Sequence, residues 1–403
     1  MPLVSPAAPR AGIRTAAVFA IFAAAGIILS TWAARLPAIR DALGIEVDAV
    51  GLLIFAMGVG AIAGLLAAGH VVHLLGTRRT ILITLLIGAA AFAGVGVGAQ
   101  SASLAAVTVS IVVVGAMASM CDVAMNVEGA AVEHAIRRPI MPWFHAAWSL
   151  STVIGAAIGA AAAFGGVPVA VHFGVAGALI AATALVATRG LPAHTVAEGE
   201  ERLGFRRRLA IWVEPRTLLI GVLVLGMAFA EGAANDWLTL AMVDDRGHDE
   251  GTGALLFGMF TAAMTVGRII GVPLLARFGR VTVLTVASLA AMAGLATVIV
   301  VPATPITAAA IVLWGLGASL GFPVGMSAAG DDPAHAAARV SAVATIAYCA
   351  FLVGPPVIGW VAAGTGLLPA MWIVVALIAV ASLAIPVVRE RPAVAPADDA
   401  PHP

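Results

Sequence analysis

Apolar residues dominate the chain in runs of about twenty, broken by short polar stretches. A bilayer core about 30 Å thick needs about 20 apolar residues in helix. Twelve segments meet that length: 13–35, 49–73, 80–99, 103–127, 143–165, 169–188, 217–241, 253–275, 281–301, 306–328, 340–362 and 367–388. The runs are continuous rather than alternating, which excludes a closed β-barrel. Gly165, Gly166 and Pro168 supply the turn between the fifth and sixth segments. The pattern predicts an all-α membrane protein of twelve transmembrane helices.

The longest polar interruption, 189–216, divides the chain six and six. It carries Glu198, Glu200, Glu201, Arg202 and the run Arg206–Arg208, which reads as a topology signal or as a lipid contact. The two sides echo each other. Trp32 returns as Trp237, 205 positions later, Gly76 as Gly279 after 203, and Gly155 as Gly359 after 204. This predicts two pseudo-symmetric six-helix bundles, 1–188 and 217–403, joined by a cytoplasmic linker, 189–216. Parallel repeats with a site between them are a transporter architecture.

Composition narrows the picture. Hydrophobic residues make up 62 % of the 403 positions and charged residues 10 %, against about 25 % charged in soluble domains. All 21 basic residues are Arg. With the N-terminus placed inside, 17 of the 21 fall in cytoplasmic segments, and Arg35, Arg40 and Arg246 lie outside. This asymmetry predicts cytoplasmic termini. Net charge is zero and no basic stripe exists, so nucleic acid is not an expected partner. Arg10 and Arg14 precede a first run long enough to span, which favours a span over a cleaved signal. Cys121 and Cys349 sit inside apolar runs and read as small buried residues.

The second segment ends Gly69-His70-Val71-Val72-His73-Leu74-Leu75-Gly76-Thr77-Arg78-Arg79, and the eighth ends Arg277-Phe278-Gly279-Arg280. Glycine permits a tight turn between helices, and arginines there can bond helix C-terminal carbonyls. This resembles the loop signature of the major facilitator superfamily, Gly-x-x-x-Asp-Arg/Lys-x-Gly-Arg/Lys-Arg/Lys. His73 and Ala276 stand where the signature has an acid, and Leu74 where it has a base. The stretch from Cys121-Asp122 through Asn126, Glu128 and Glu133 to Trp143-Phe144-His145-Ala146-Ala147-Trp148-Ser149 is similar to a bacterial branch that includes a membrane protein of rhizopine-synthesis loci. The resemblance implies a monomeric inner-membrane transporter of a small molecule, driven by protons, with Gly69, Gly76, Arg78, Arg79, Arg277, Gly279 and Arg280 in gating loops. It implies no cofactor.

Polar groups inside the membrane are the candidate site, because a buried charge costs about 3 kcal/mol or more. Asp122, Asn126 and Glu133 share one helix face, and His145, Ser149 and Thr152 another. Asp122 and Asn126 are expected to approach His145 and Ser149, either as a cavity lining or as a staple between helices. Glu128 points elsewhere. Glu231 and Asn235 share a face in the seventh segment. Glu231 suits a proton carrier, or else a permanent ion pair with Arg35. Arg268 reads as a partner of Asp122, a neighbour of His145 or a snorkelling residue. Ser341, Thr345 and Tyr348 form a stripe that could meet substrate or close a gate. Trp32 and Trp237 read as interface anchors, and Trp148 and Trp314 as core or stacking residues. His70 and His73 lack a third ligand, so no metal is expected.

Function then reads as secondary transport of a small polar solute, sugar-like or another metabolite. The alternatives are an exporter of the same fold, or a sensor on a transporter scaffold. No His-Glu-x-x-His motif is present and nothing orients His145 beside Ser149, which argues against an intramembrane enzyme.

Overall fold

A computed structural model describes residues 11–136, 140–192, 211–331 and 336–389. Arg10 and the stretch from Glu198 to Arg208 lie outside the described residues. Twelve spans are present among the described residues. The first is Ala11–Ala34, the fourth Leu104–Ile136, the fifth Met141–Phe164 and the sixth Val169–Ala187. The second and third are the legs of Val47–Gln100, and the eighth and ninth those of Glu250–Val300. The seventh, Pro215–Ala233, continues through a π-helical turn, Ala234–Leu238, into Thr239–Asp244. The tenth combines Thr304–Ala318 and Gly321–Ala329, the eleventh is Ala336–Thr365, and the twelfth combines Leu367–Ala370 and Trp372–Ser382.

The two predicted turns are the same turn. Gly76 has φ 75° and ψ 162°, and Gly279 has φ 74° and ψ 162°. A side chain at positive φ is strained there, so glycine is required. Gly60 and Gly64 let the second span reach the fourth, since a Cβ on either would stand 2.1 Å from a backbone oxygen, of Val112 or Ala116. Gly155 meets Ser30 and Gly159 meets Ala34 across the fifth and first spans. Small residues bring helices together where lipid supplies no hydrophobic drive between them.

Each bundle returns the chain to the end where it started, so both described termini and both flanks of the linker share one face. The bundles meet on the opposite face. There the second span touches the eleventh at Gly51, Gly58 and Gly359, and Phe164 of the fifth sits on Gly251 of the eighth. Arg40, on the short helix Leu36–Leu43, pairs with Asp244 across the halves. Toward the face of the termini the bundles diverge, and Asp122, His145, Ser341, Thr345 and Tyr348 are exposed.

Several expectations are corrected. Trp32 and Trp237 are buried within the protein, not at the lipid interface. Trp360 and Trp372, toward the face away from the termini, are exposed instead. Cys349 is exposed; only Cys121 is buried. Arg280 bonds the side chains of Asp331 and Ser327. Arg277 lies over the Phe278 ring.

The eighth span starts at a cap. Asp249 accepts from the Thr252 backbone N–H at 2.9 Å and from its hydroxyl at 2.6 Å. Those bonds favour the anion and hold the carboxyl below the usual carboxylate range. A depressed value in the folded state contributes stability above the unfolded value and loses it as pH falls through the folded one. Asp249→Asn is therefore expected to lower Tm at neutral pH, with the difference from wild type vanishing in strong acid; a pH series of melting curves checks this.

Candidate functional site in the central cavity

The spacing of the eighth span puts Thr261, Thr265 and Arg268 on one helix face at i, i+4 and i+7. In the seventh span Glu231 and Asn235 do the same. The structure turns these faces toward each other. They line a small cavity of about 20 Å³ together with Ser30 of the first span and Trp148 and Thr152 of the fifth. That is room for one water.

Arg268 is the centre of this cavity. Its Nη2 donates to both Glu231 oxygens at 3.3 and 3.4 Å, and its Nη1 donates to Ser149 Oγ at 3.2 Å. Glu231 belongs to the C-terminal bundle and Ser149 to the N-terminal one. A single guanidinium therefore spans the junction of the halves, as its planar fork allows. Arg268 is 30 % and Glu231 17 % exposed, so the pair is only partly desolvated. The wall hydroxyls bond backward into their own helices: Thr152 to Ser149, Thr261 to Gly258 and Thr265 to Thr261. Their oxygens keep acceptor capacity toward the cavity.

The expected partner of Glu231 is thus corrected. Arg35 lies one layer further from the termini, where its Nη2 donates to the Val167 carbonyl at 2.8 Å. The expected meeting of Asp122 and Asn126 with His145 and Ser149 is corrected too. Asn126 donates to Asp122 itself, to the backbone oxygen at 2.8 Å and the carboxylate at 3.1 Å. His145 packs edge-on against Phe22 and lies within reach of the Arg268 charge. Asp122 instead faces the gap between the bundles, near enough to Tyr348 of the eleventh span for its charge to act there. Glu133 leaves the stripe and accepts from the Ile140 and Met141 N–H groups at 2.9 Å each, capping the fifth span.

Two groupings escaped the reading of the sequence. Thr261 and Thr265 carried their signal in the i, i+4, i+7 spacing with Arg268. Glu128 is the other. It is fully buried, pairs with Arg14 at 2.7 Å and accepts from Thr77 at 2.7 Å. Its repeat mate is Asp331, which takes Arg216 at 3.1 Å and Arg280 at 2.9 Å. The separations, 114 and 115 for the first arginines and 51 for both turn residues, show one device used twice. Each clamp ties the start of a bundle, its glycine turn and the end of its fourth helix. Removing one partner of a buried pair leaves the other charge uncompensated, at about 3 kcal/mol. Glu128→Ala and Glu128→Gln both leave Arg14 without its counter-charge and are expected to lower the melting temperature of the detergent-solubilised protein, Glu128→Ala further because Gln keeps an acceptor for the Thr77 hydroxyl; differential scanning fluorimetry reads both.

Among the described residues no group of three or more His, Cys, Asp or Glu side chains is placed to hold a metal.

Comparison with known proteins decides the family. The family model described as Major Facilitator Superfamily matches residues 15–351 and, in a second alignment, 237–403. The chain belongs to the major facilitator superfamily. It is 28 % identical over 372 residues to the transporter y4wD of Sinorhizobium fredii, covering 91 % of this chain and 95 % of that one. Membrane protein MosC of Rhizobium meliloti is 26 % identical over 355 residues, 87 % of this chain and 84 % of its own. The crystal structure of a point mutant of the nucleoside transporter NupG superposes with a TM-score of 0.78 at 14 % identity, over 93 % of this chain and 99 % of that one. The transporter FucP, in an outward conformation, gives 0.65 at 17 % identity, over 93 % and 98 %. The major facilitator chain is a multi-pass membrane transporter and not an enzyme.

Proposed function

We propose that this transporter moves a small polar solute across the bacterial plasma membrane by alternating access, coupled to protons. The bundles 1–188 and 217–403 are the two rocking bodies, 189–216 links them, and the termini are cytoplasmic. The chain works as a monomer. One observation carries the reading: Arg268 holds Glu231 of its own bundle and Ser149 of the other at once. A proton on Glu231 removes the charge that fixes Arg268, and the contact between halves loosens with it. Loading and conformational change are thereby tied to one group.

The solute class follows from the walls. Ser30, Thr152, Thr261, Thr265 and Asn235 offer hydrogen bonds, and Trp148 and Phe257 offer ring faces. Asp122, Asn126, His145 and Tyr348 line the path toward the termini. Hydroxyl and amide groups with few aromatics suit a sugar-like or other small hydrophilic metabolite. NupG, by its name a nucleoside transporter, is compatible with that class.

The test is flux in proteoliposomes under an imposed pH gradient, using solutes that raise the melting temperature of the pure protein. Accumulation should follow the gradient in wild type. Glu231→Gln should retain downhill exchange and lose gradient-driven accumulation. Undiminished accumulation in that variant would sink the role of Glu231.

A further inference from the structure

Arg35 is an anomaly that the central cavity leaves unexplained. Only 4 % of it is exposed, yet its Nε and Nη1 have no hydrogen-bond partner among the described residues. A buried donor without a partner costs about 1–3 kcal/mol, and more when charged. Beside it His172, 8 % exposed, also leaves its Nδ1 unpaired among the described residues. Arg35 lines an open cavity of about 670 Å³ on the face away from the termini.

The walls of this cavity carry opposite signs. On the N-terminal side are Arg35 and the first turn of the sixth span, at Val169 and Ala170. That helix has 19 residues, and its first N–H groups have no partner within it, so it presents partial positive charge. On the C-terminal side are Asp249 and Glu250. Glu250 feels the Arg35 charge, but the two side chains form no ion pair. The gap therefore needs an occupant that accepts at one end and donates at the other. Bulk water satisfies such groups weakly compared with charge-assisted bonds.

We propose that this cavity is a binding site for a small zwitterion, with its anionic group on Arg35 and the sixth-span N-terminus and its ammonium on Glu250 and Asp249. The site is separate from the Arg268 cavity and does not depend on proton coupling there. Because its two walls belong to different bundles, the occupant clasps them together on this face. It favours the arrangement seen in the structure.

The experiment is a thermal-shift titration of the purified full chain in detergent. The probes are glycine, β-alanine and γ-aminobutyrate, three zwitterions of increasing span. Acetate, methylammonium and myo-inositol at equal concentration are the controls. At least one zwitterion should raise Tm in a saturating way, with no comparable shift from the three controls. Arg35→Gln and Glu250→Gln should each abolish the shift. Glu250 is half-buried and its side chain makes no hydrogen bond among the described residues, so its variant retains the fold and keeps the test sound if Arg35→Gln does not. The proposal is overturned if no zwitterion shifts Tm, if a control shifts it equally, or if the Glu250→Gln protein keeps the shift. Binding here without any flux would overturn the transport reading and leave this site standing.

Discussion

Replacing Arg268 by alanine is expected to abolish transport while leaving the protein folded. The side chain makes the hydrogen bond that joins the bundles in mid-membrane, to Ser149, and holds Glu231 in the same fork. Without it Glu231 is left as an uncompensated acid facing the cavity. Removing one member of a fully buried pair costs about 3–5 kcal/mol, and the partial exposure of this pair, 30 % for Arg268 and 17 % for Glu231, reduces that cost. The loss falls mainly on the cycle, where each 1.4 kcal/mol or so amounts to about tenfold. Arg268→Lys discriminates charge from geometry. A lysine keeps the charge but is a point donor on a flexible stem, and cannot serve Ser149 and Glu231 together. Its flux should fall between wild type and Arg268→Ala. Initial rates of counterflow in proteoliposomes read all three.

The second large effect belongs to the glycine seam between the second and eleventh spans. A Cβ on Gly51 would stand 2.8 Å from the Pro355 carbonyl oxygen, and one on Gly359 would stand 3.1 Å from that of Val47. Both obstacles are backbone, which cannot swing aside as a side chain does. Gly51→Leu should therefore hold the bundles apart on the face away from the termini. Its obstructing neighbours all lie across the junction, so the N-terminal bundle itself stays packed. Spin labels on that face of the two spans should show a longer distance by double electron–electron resonance, with the elution profile unchanged. Gly60→Leu is the contrasting case. Its obstacle, the Val112 carbonyl at 2.1 Å, lies within one bundle, and the expected outcome is loss of folded protein.

The fold was legible because lipid imposes its rule locally. Every backbone group in the membrane must be bonded within its own helix, so length and apolarity mark each span without knowledge of its neighbours. The glycine turns were legible for a related reason: positive φ restricts the residue at that one position. Pairing between helices obeys no such local rule. Glu231 and Asn235 could be placed on one face from their spacing, but the partner of Glu231 depends on which helix arrives at the same depth. The structure brings Arg268 there, and Arg35 lies a layer away. Trp32 and Trp237 looked like interface anchors because indoles near span ends commonly are; their burial is a tertiary fact. Glu128 pointed away from the polar stripe, and that was true. It pointed at Arg14 instead, and the only trace in the sequence was the recurrence of an acid and a base at matching intervals in the second half.

The measurement closest to the central claim needs no knowledge of the solute. Double electron–electron resonance across the face away from the termini, in lipid nanodiscs over a range of pH, compares wild type with Glu231→Gln. Acid should shift wild type from a short to a longer distance. Glu231→Gln should show the longer distance throughout, indifferent to pH. A Glu231→Gln protein that responds to acid as wild type does would contradict the assignment of Glu231 as the group that couples protons to the movement of the bundles.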